Sequence, residues 1–181
     1  MSESGDQHDQ HDQREHEVHG YERMLERLRE RLEETGEAVE HGVGEALDAV
    51  RERSVALGEL TREEADRVAA WLQRDLEDAA EYVEKARGTY SDWLHMDLQL
   101  VENWLWDRFS SVADQTRLQW QALNRELQAA ARYHTGEITG PGTLVCRDCG
   151  EVLHFKRAGH IPPCPKCHGS RFERAVRRRS D

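Results

Sequence analysis

The sequence predicts a mainly α-helical protein with long antiparallel helices in a coiled-coil-like bundle, followed by a small carboxy-terminal β domain. Apolar residues recur every three or four positions from Tyr21 to about Tyr133, which is the period of an amphipathic helix. Beyond residue 135 this period gives way to short alternating runs separated by glycine and proline. All four cysteines lie in that last part, as two C-x-x-C pairs. The predicted units are residues 1–19, 20–134, 135–175 and 176–181.

The first nineteen residues are polar and of low complexity. They contain a tandem repeat of Asp, Gln and His from Asp6 to Gln13, followed by His16 and His19. Because there is almost nothing apolar to bury, this segment is expected to be disordered. Its histidines and acids also have the composition of a loose metal-binding tract, although a solvated tail is the preferred interpretation.

Three helices are expected in the second unit, and they span residues 21–57, 61–87 and 91–133. Gly58 ends the first helix, and Thr61 with Glu64 has the spacing of a capping box that begins the second. Because the connection between them is short, these two helices are expected to be antiparallel neighbours. The third helix carries four of the five tryptophans, so it is expected to be covered on more than one side, by the other helices or by a second copy of the chain. Three glycines are expected to weaken or kink the first helix: Gly36, Gly42 and Gly44.

The side chains expected in the helical core follow the same period. They are Tyr21, Leu25, Leu28, Leu32, Thr35, Val39, Val43, Leu47, Val50, Ser54 and Leu57 on the first helix, Ala65, Val68, Leu72, Leu76, Ala79, Val83 and Ala86 on the second, and Leu94, Leu98, Val101, Leu105, Phe109, Val112, Thr116, Leu123 and Leu127 on the third.

The cysteines predict a metal site. Each C-x-x-C pair places two sulfurs on one tight turn, and two such turns supply the four thiolates of a tetrahedral structural Zn²⁺ site. Fourteen residues separate the pairs, just short of the spacing usual for a ribbon-type site. Two disulfides fit poorly, because no export signal is apparent and cytosolic thiols stay reduced. The predicted ligands are Cys146, Cys149, Cys164 and Cys167.

The residues around the cysteines predict a zinc ribbon, in which two metal-binding turns are joined by a small antiparallel sheet. The short apolar runs that flank the turns are expected to form strands, and they are Leu144–Val145, Val152–Phe155 and Arg171–Glu173. Gly150 follows the first pair, where the chain needs a left-handed residue. The second turn is expected to be less regular, because His168 comes before Gly169. A unit of about forty residues with so few large apolar side chains needs metal or disulfides to fold. An iron-containing, rubredoxin-like electron carrier is the alternative use of four cysteines, and metal buffering together with the histidine-rich tail is another.

Composition narrows the class of protein. The chain has a net charge of −11, but the part from Gly136 onward carries +4, so the remaining −15 argues against coating nucleic acid along its length. No apolar run approaches a membrane span, and the amino terminus is polar, so a cytoplasmic location is expected. Four thiolates leave no open metal position, and no catalytic motif is present, so we expect no enzyme activity.

The expected role is therefore interaction. The helices are expected to act as a scaffold or to set a homo-oligomer, and the ribbon to present basic side chains to a protein or nucleic-acid partner. Four of these candidate partner-binding residues lie within the ribbon, and three form a terminal arginine run: Arg147, Lys156, Arg157, Lys166, Arg177, Arg178 and Arg179.

Several motifs carry a resemblance to a known family. They are Gly88–Tyr90, Tyr133–Gly140, Leu144–Gly150, Pro162–Cys167 and Phe172. With these motifs, roughly residues 20 to 175 resemble the bacterial zinc-ribbon-containing proteins of the YbeL-like family. The resemblance implies a helical amino-terminal region, a carboxy-terminal zinc ribbon and a cytoplasmic bacterial protein. It implies no activity, since the family has no established one.

Overall fold

A computed structural model describes residues 3–35, 42–86, 107–113, 116 and 133–175. Three helices come first in the chain: α1 Glu3–Thr35, α2 Gly42–Ala56 and α3 Arg62–Ala86. Residues 107–113 are also helical. Six short strands follow: β1 Tyr133–His134, β2 Ile138–Thr139, β3 Gly142–Cys146, β4 Val152–Phe155, β5 Gly159–His160 and β6 Arg171–Arg174. The structure thus confirms helices followed by a small antiparallel sheet with the four cysteines nearby.

The helical core forms where α1, α2 and α3 contact one another and bury the predicted apolar seams. The predicted residues that are buried are Tyr21, Leu25, Leu28, Leu32, Val43, Leu47, Val50, Ser54, Ala65, Val68, Leu72, Leu76, Ala79, Phe109, Val112 and Thr116. Among the predicted core residues whose burial is described, Leu57 is the exception, since it follows the end of α2 and its side chain is 46% exposed. Apolar burial at about 25 cal/mol per Å² makes this core the main source of stability for the helices.

Local chemistry fixes the turn between α2 and α3. Gly58 adopts a positive φ of 67°, and its N–H donates to the carbonyl of Val55 at 2.9 Å, which ends α2. Thr61 Oγ1 accepts from the Glu64 N–H at 3.3 Å, while Glu64 Oε2 accepts from the Thr61 N–H at 2.8 Å. This reciprocal pair is the predicted capping box, and α3 begins directly after it.

Ion pairs hold α1 against the other two helices. Arg27 on α1 donates two hydrogen bonds to Glu59, at 2.5 and 2.6 Å, and so fixes the α2–α3 turn. Arg67 on α3 donates to the buried Glu17 of α1 at 2.5 Å. Bidentate arginine–carboxylate pairs such as the first are geometrically specific, so they help to fix the register of α1.

Two expectations about the amino-terminal half differ from the structure. Residues 3–19, expected to be disordered, form the first half of α1, because a helix that is anchored by a packed segment adds one hydrogen bond for each further residue. Within the described residues, the predicted helix over 21–57 is two helices, one ending at Thr35 and the other beginning at Gly42. Of the three glycines expected to weaken or kink the predicted helix, Gly42 and Gly44 lie in the first turn of α2, and Gly36 lies outside the described residues.

The strands form a four-stranded antiparallel sheet in the order β1-β6-β3-β4 and a two-stranded sheet of β2 and β5. The predicted strands around Val145, over Val152–Phe155 and around Phe172 are confirmed as β3, β4 and β6. Tyr133 pairs with Phe172 across β1 and β6, so it belongs to the sheet and not to the end of a helix. We therefore define the ribbon as residues 133–175, two residues longer than predicted.

The ribbon is docked on the helices. Ile138 and Ala158 of the ribbon lie in the same buried cluster as the apolar residues of α1, α2 and α3. The ring of His160 meets Trp71 of α3 edge-on at 6.5 Å, and its Nε2 lies 3.1 Å from the carbonyl oxygen of Arg14 on α1. A second, small cluster lies inside the ribbon and includes the ligands Cys146 and Cys164.

Some predictions fall outside the described residues. These are Trp93, Trp104, Trp106 and Trp120, most of the predicted third helix, and the arginine run at 177–179. The coiled-coil character of the helices stays a prediction. Among the described helices, none is both long and apolar enough to cross a membrane.

Candidate metal centre

The four predicted ligands converge. The sulfurs of Cys146, Cys149, Cys164 and Cys167 all lie within 4.8 Å of one another. Two pairs of sulfurs from different turns lie close together, with Cys146 Sγ 3.6 Å from Cys167 Sγ and Cys149 Sγ 3.5 Å from Cys164 Sγ. A tetrahedral zinc with Zn–S bonds of about 2.3 Å separates its sulfurs by about 3.8 Å. The donor set and its spacing therefore fit a Zn²⁺ ion.

The two cysteine turns have the same backbone geometry. The Gly150 N–H donates to the carbonyl of Cys146, and the His168 N–H donates to the carbonyl of Cys164, both at 2.9 Å. Gly150 and His168 each follow the second cysteine of a pair, and each has a positive φ, of 75° and 59°. The second turn was expected to be less regular because His168 precedes Gly169. His168 instead takes the left-handed conformation itself, at a cost of about 1–2 kcal/mol.

A polar contact joins the first cysteine turn to strand β6 beside the sulfurs. Asp148, inside the first turn, accepts a hydrogen bond from Arg171 Nη2 at 2.8 Å. A Cβ on Gly169 would collide with the Asp148 carboxylate and lie 3.2 Å from Cys167 Sγ. Gly169 therefore leaves room for the Asp148 carboxylate to lie against the second turn.

The neighbouring sulfurs influence one another's protonation. Burial raises the pKa of Cys164, but backbone N–H groups of Cys167 and Lys166 outweigh it and lower that pKa to about 7. The Gly169 N–H lowers the pKa of Cys167, yet the three adjacent sulfurs and burial raise it to about 12. Thiols this close resist simultaneous ionisation, and a bound divalent cation would supply the charge that stabilises all four as thiolates.

The predicted partner-binding residues of the ribbon lie on its surface, but two of them pair with acids of the ribbon itself. Arg147 Nε lies 3.6 Å from Glu173, and Lys166 Nζ lies 3.9 Å from Glu151. Lys156 and Arg157 are exposed in the connection between β4 and β5 and form no ion pair within the described part of the chain. The arginines at 177–179 lie beyond residue 175 and outside the described ranges.

The sequence is similar to a family defined by this kind of site. Residues 11–176 match the family model described as a zinc-ribbon containing domain. The chain belongs to this zinc-ribbon family. Relatives named "Uncharacterized protein YbeL" occur in Escherichia coli strain K12 and in strain O157:H7. Each is 32% identical over 154 residues, which cover 85% of this chain and 92% of the relative.

The family match begins nine residues before the resemblance noted from motifs, so it includes part of the histidine-containing segment. The family assignment and the four converging cysteines together indicate metal binding. No solved structure is significantly similar to the chain.

Sequence reasoning missed a set of buried polar residues at the contact between the zinc ribbon and the helices. We call it the Asp75 junction, and it consists of Tyr21, Arg74, Asp75, Gly140 and Arg174. The side chain of Asp75 is completely buried. Its Oδ2 accepts hydrogen bonds from Tyr21 Oη at 2.8 Å and from the Gly140 N–H at 2.6 Å. Arg74 and Arg174 approach its Oδ1 at 3.3 and 3.5 Å.

Both arginines of the junction also bind other residues of the ribbon, Arg74 from α3 and Arg174 from β6. Arg74 donates to the carbonyl of Ile138 at 2.6 Å and to Glu137 at 2.5 Å. Arg174 donates to Tyr133 Oη and to Thr139 Oγ1, both at 3.0 Å. Burial and the charge of Asp75 raise the pKa of Tyr21 well above its ordinary value, so Tyr21 acts as a hydrogen-bond donor at neutral pH.

A signal for Asp75 exists in the sequence. Val68, Leu72, Asp75 and Ala79 follow one another at intervals of four, three and four, so the aspartate occupies a core position of the seam. A charged residue at such a position is almost never fully buried unless it is paired. That spacing indicates a buried partner, although it does not identify Arg174, 99 residues away.

Proposed function

We propose that this protein is a non-enzymatic zinc-binding protein whose helical region carries a four-cysteine ribbon and presents it to a protein partner. The observation that supports the proposal most directly is the convergence of the four sulfurs within 4.8 Å. Four thiolates complete a tetrahedral shell, which is typical of structural rather than catalytic zinc. A cytoplasmic location, where thiols stay reduced, suits such a site.

The histidines near the site support the four-sulfur shell. His154 Nδ1 lies 2.9 Å from Thr143 Oγ1, so this ring nitrogen is engaged by a hydroxyl of β3. His160 is turned toward Trp71 and the helices. Within the described residues, the group that can hold a metal contains cysteines alone.

Charge favours a protein over a nucleic acid as the partner. Four of the six basic side chains within residues 133–175 pair with acids, and these four are Arg147, Lys166, Arg171 and Arg174. Phosphate binding needs several cations free to replace condensed counterions. Two exposed basic residues, Lys156 and Arg157, instead provide a local site for an acidic segment of a protein.

Metal analysis tests the first part of the proposal. Protein purified under reducing conditions should contain one zinc per chain and be colourless, and the Cys146→Ser variant should lose most of that zinc. His154→Ala is the matched control, because it alters the ribbon surface without removing a sulfur, and it should keep one zinc. Less than one equivalent of metal in the reconstituted wild-type protein would refute zinc binding. A red protein that contains iron would establish the electron-carrier alternative.

Affinity purification from native cells tests the partner. A specific protein should be recovered with the wild-type chain and lost with Cys146→Ser and with the double variant Lys156→Glu/Arg157→Glu. Arg62→Glu, an exposed charge reversal on α3 and outside the ribbon, is the control and should retain that protein. Recovery that is equal for all variants would contradict presentation by the ribbon. Salt-dependent binding of labelled RNA or DNA by the wild type would assign a nucleic-acid partner instead.

A further inference from the structure

We propose that the metal centre and the helical region are thermodynamically coupled through the Asp75 junction, so that metal binding by the four cysteines stabilises the packing of α1 against α3. This inference rests on the proposed function, because it takes the four sulfurs to bind zinc. It goes further by assigning to the ribbon an effect on the helices that carry it.

The ribbon side of the coupling runs along strand β6. This strand begins two residues after Gly169 of the second cysteine turn, and Arg174 stands at its other end. Within the sheet, Cys146 of β3 pairs with Phe172, and Leu144 pairs with Arg174. A metal ion that joins the two cysteine turns therefore fixes the register in which β6 places Arg174.

The space around Arg174 is limited, so the guanidinium fits only when β6 is paired with β3 in this register. Gly142 of β3 has a φ of 143°, and a Cβ there would collide with Arg174 Nη1. The guanidinium also lies 4.8 Å from the centre of the Tyr133 ring. Arg174 is thus held between two strands of the ribbon, and it has little freedom to follow the helices if the strands move.

The helix side of the coupling is Asp75 itself. One carboxylate oxygen accepts hydrogen bonds from Tyr21 on α1 and from Gly140 on the ribbon, so a single atom joins three parts of the chain. The Gly140 N–H and Arg174 are supplied by the ribbon. If the ribbon loses order without metal, Asp75 loses the Gly140 N–H and Arg174 as partners, while its carboxylate stays in the helical core. Leaving a buried carboxylate without its partners strongly destabilises the folded state, so the packing of α1 against α3 weakens.

Coupling of this kind is reciprocal. If metal binding stabilises the junction, then a change at the junction must weaken metal binding by the same factor, although no junction residue touches a sulfur. Measured couplings between distant sites are typically between roughly 5-fold and 150-fold in affinity. We therefore expect junction variants to bind zinc on the order of tenfold more weakly.

A zinc competition titration on the full chain tests the inference. The zinc-loaded protein is titrated with a chromophoric chelator, and the chelator concentration that removes half of the zinc is compared between variants. Asp75→Asn should release zinc at a concentration on the order of tenfold lower, because its amide presents N–H groups to two arginines. Tyr21→Phe removes one hydrogen bond to Asp75. It should also lower the chelator concentration that removes half of the zinc, but by a smaller factor than Asp75→Asn. Asp66→Asn, an exposed change on the same helix, is the control and should match the wild type.

The outcomes separate the two proposals. If the wild type binds no zinc, the metal site fails and the coupling fails with it. If the wild type binds one zinc, and folded Asp75→Asn and Tyr21→Phe release it like Asp66→Asn, the coupling alone is refuted. If Asp75→Asn does not fold, the comparison of zinc release between Tyr21→Phe and Asp66→Asn decides whether the coupling exists. Hydrogen exchange adds an independent measurement, since chelation should accelerate exchange in α1 around Tyr21 in the wild type. Unchanged exchange there would also refute the coupling.

Discussion

Replacing Arg174 with Met tests how strongly the ribbon is held to the helices. The change keeps the side-chain volume and removes the guanidinium, which donates at 3.0 Å to Tyr133 and to Thr139 and lies 3.5 Å from Asp75. Hydrogen bonds from charged groups contribute about 1.5–3 kcal/mol each. Removing one member of a buried ion pair costs about 3–5 kcal/mol. Because Asp75 keeps its other contacts, we expect the lower end of this range, a decrease of about 3 kcal/mol in the free energy of unfolding.

The measurement is thermal unfolding of zinc-loaded protein, followed by circular dichroism in reducing buffer with excess zinc. For a chain of this size, a loss of about 3 kcal/mol lowers Tm by about 6–12 °C. Arg171→Met is the matched control, because Arg171 lies on the same strand and pairs with Asp148, but its side chain is 60% exposed. Exposed pairs contribute about 0–1 kcal/mol, so Tm should fall by less than about 4 °C. Equal losses for the two variants would refute the importance of the buried arginine.

Three further predictions follow from local contacts. Thr61→Ala removes the capping box and should lower the free energy of unfolding by about 1 kcal/mol in urea denaturation, and an unchanged value would contradict the cap. Arg27 holds the pKa of Glu59 below its ordinary 4.5, so the pair stabilises the fold above that pH and loses its effect as the pH falls through the lowered pKa. The stability difference between wild type and Glu59→Gln should therefore shrink on acidification from pH ~7 to pH ~3, whereas a constant difference would be inconsistent with this pair. His168→Gly should raise the stability of the zinc-loaded protein by up to about 1 kcal/mol, while Gly150→Ala at the equivalent position should lower it by about 1–2 kcal/mol. The Tm of each variant measures this, and the opposite order of the two Tm values would show that the left-handed geometry is not required.

The parts of the fold that were predicted correctly depend on residues close together in the chain. The capping box at Thr61 involves neighbours three residues apart, and each cysteine turn is set by five consecutive residues. Strands β3, β4 and β6 are short alternating runs bounded by glycine, proline or the turns themselves. Such patterns carry their own geometry, so the four cysteines that converge in the structure could be singled out from spacing alone.

The helix limits were less accurate, because local composition competes with packing there. The polar residues 3–19 have the composition of a disordered tail, yet Glu17 is buried and bonded to Arg67 of α3. Tyr133 continues a helical period, but it pairs with Phe172 in the sheet. In both places a contact with a residue far along the chain determines the structure.

By itself, the sequence determined that the last part of the chain is a metal-binding ribbon and that the preceding part is helical. Both conclusions follow from spacings of two to four residues, which fix the local backbone and the side of a helix that is buried. Only the tertiary structure decided that the two parts share a core and meet at Asp75. Its partners Tyr21, Gly140 and Arg174 lie 54, 65 and 99 residues away, and no local pattern specifies contacts over such distances.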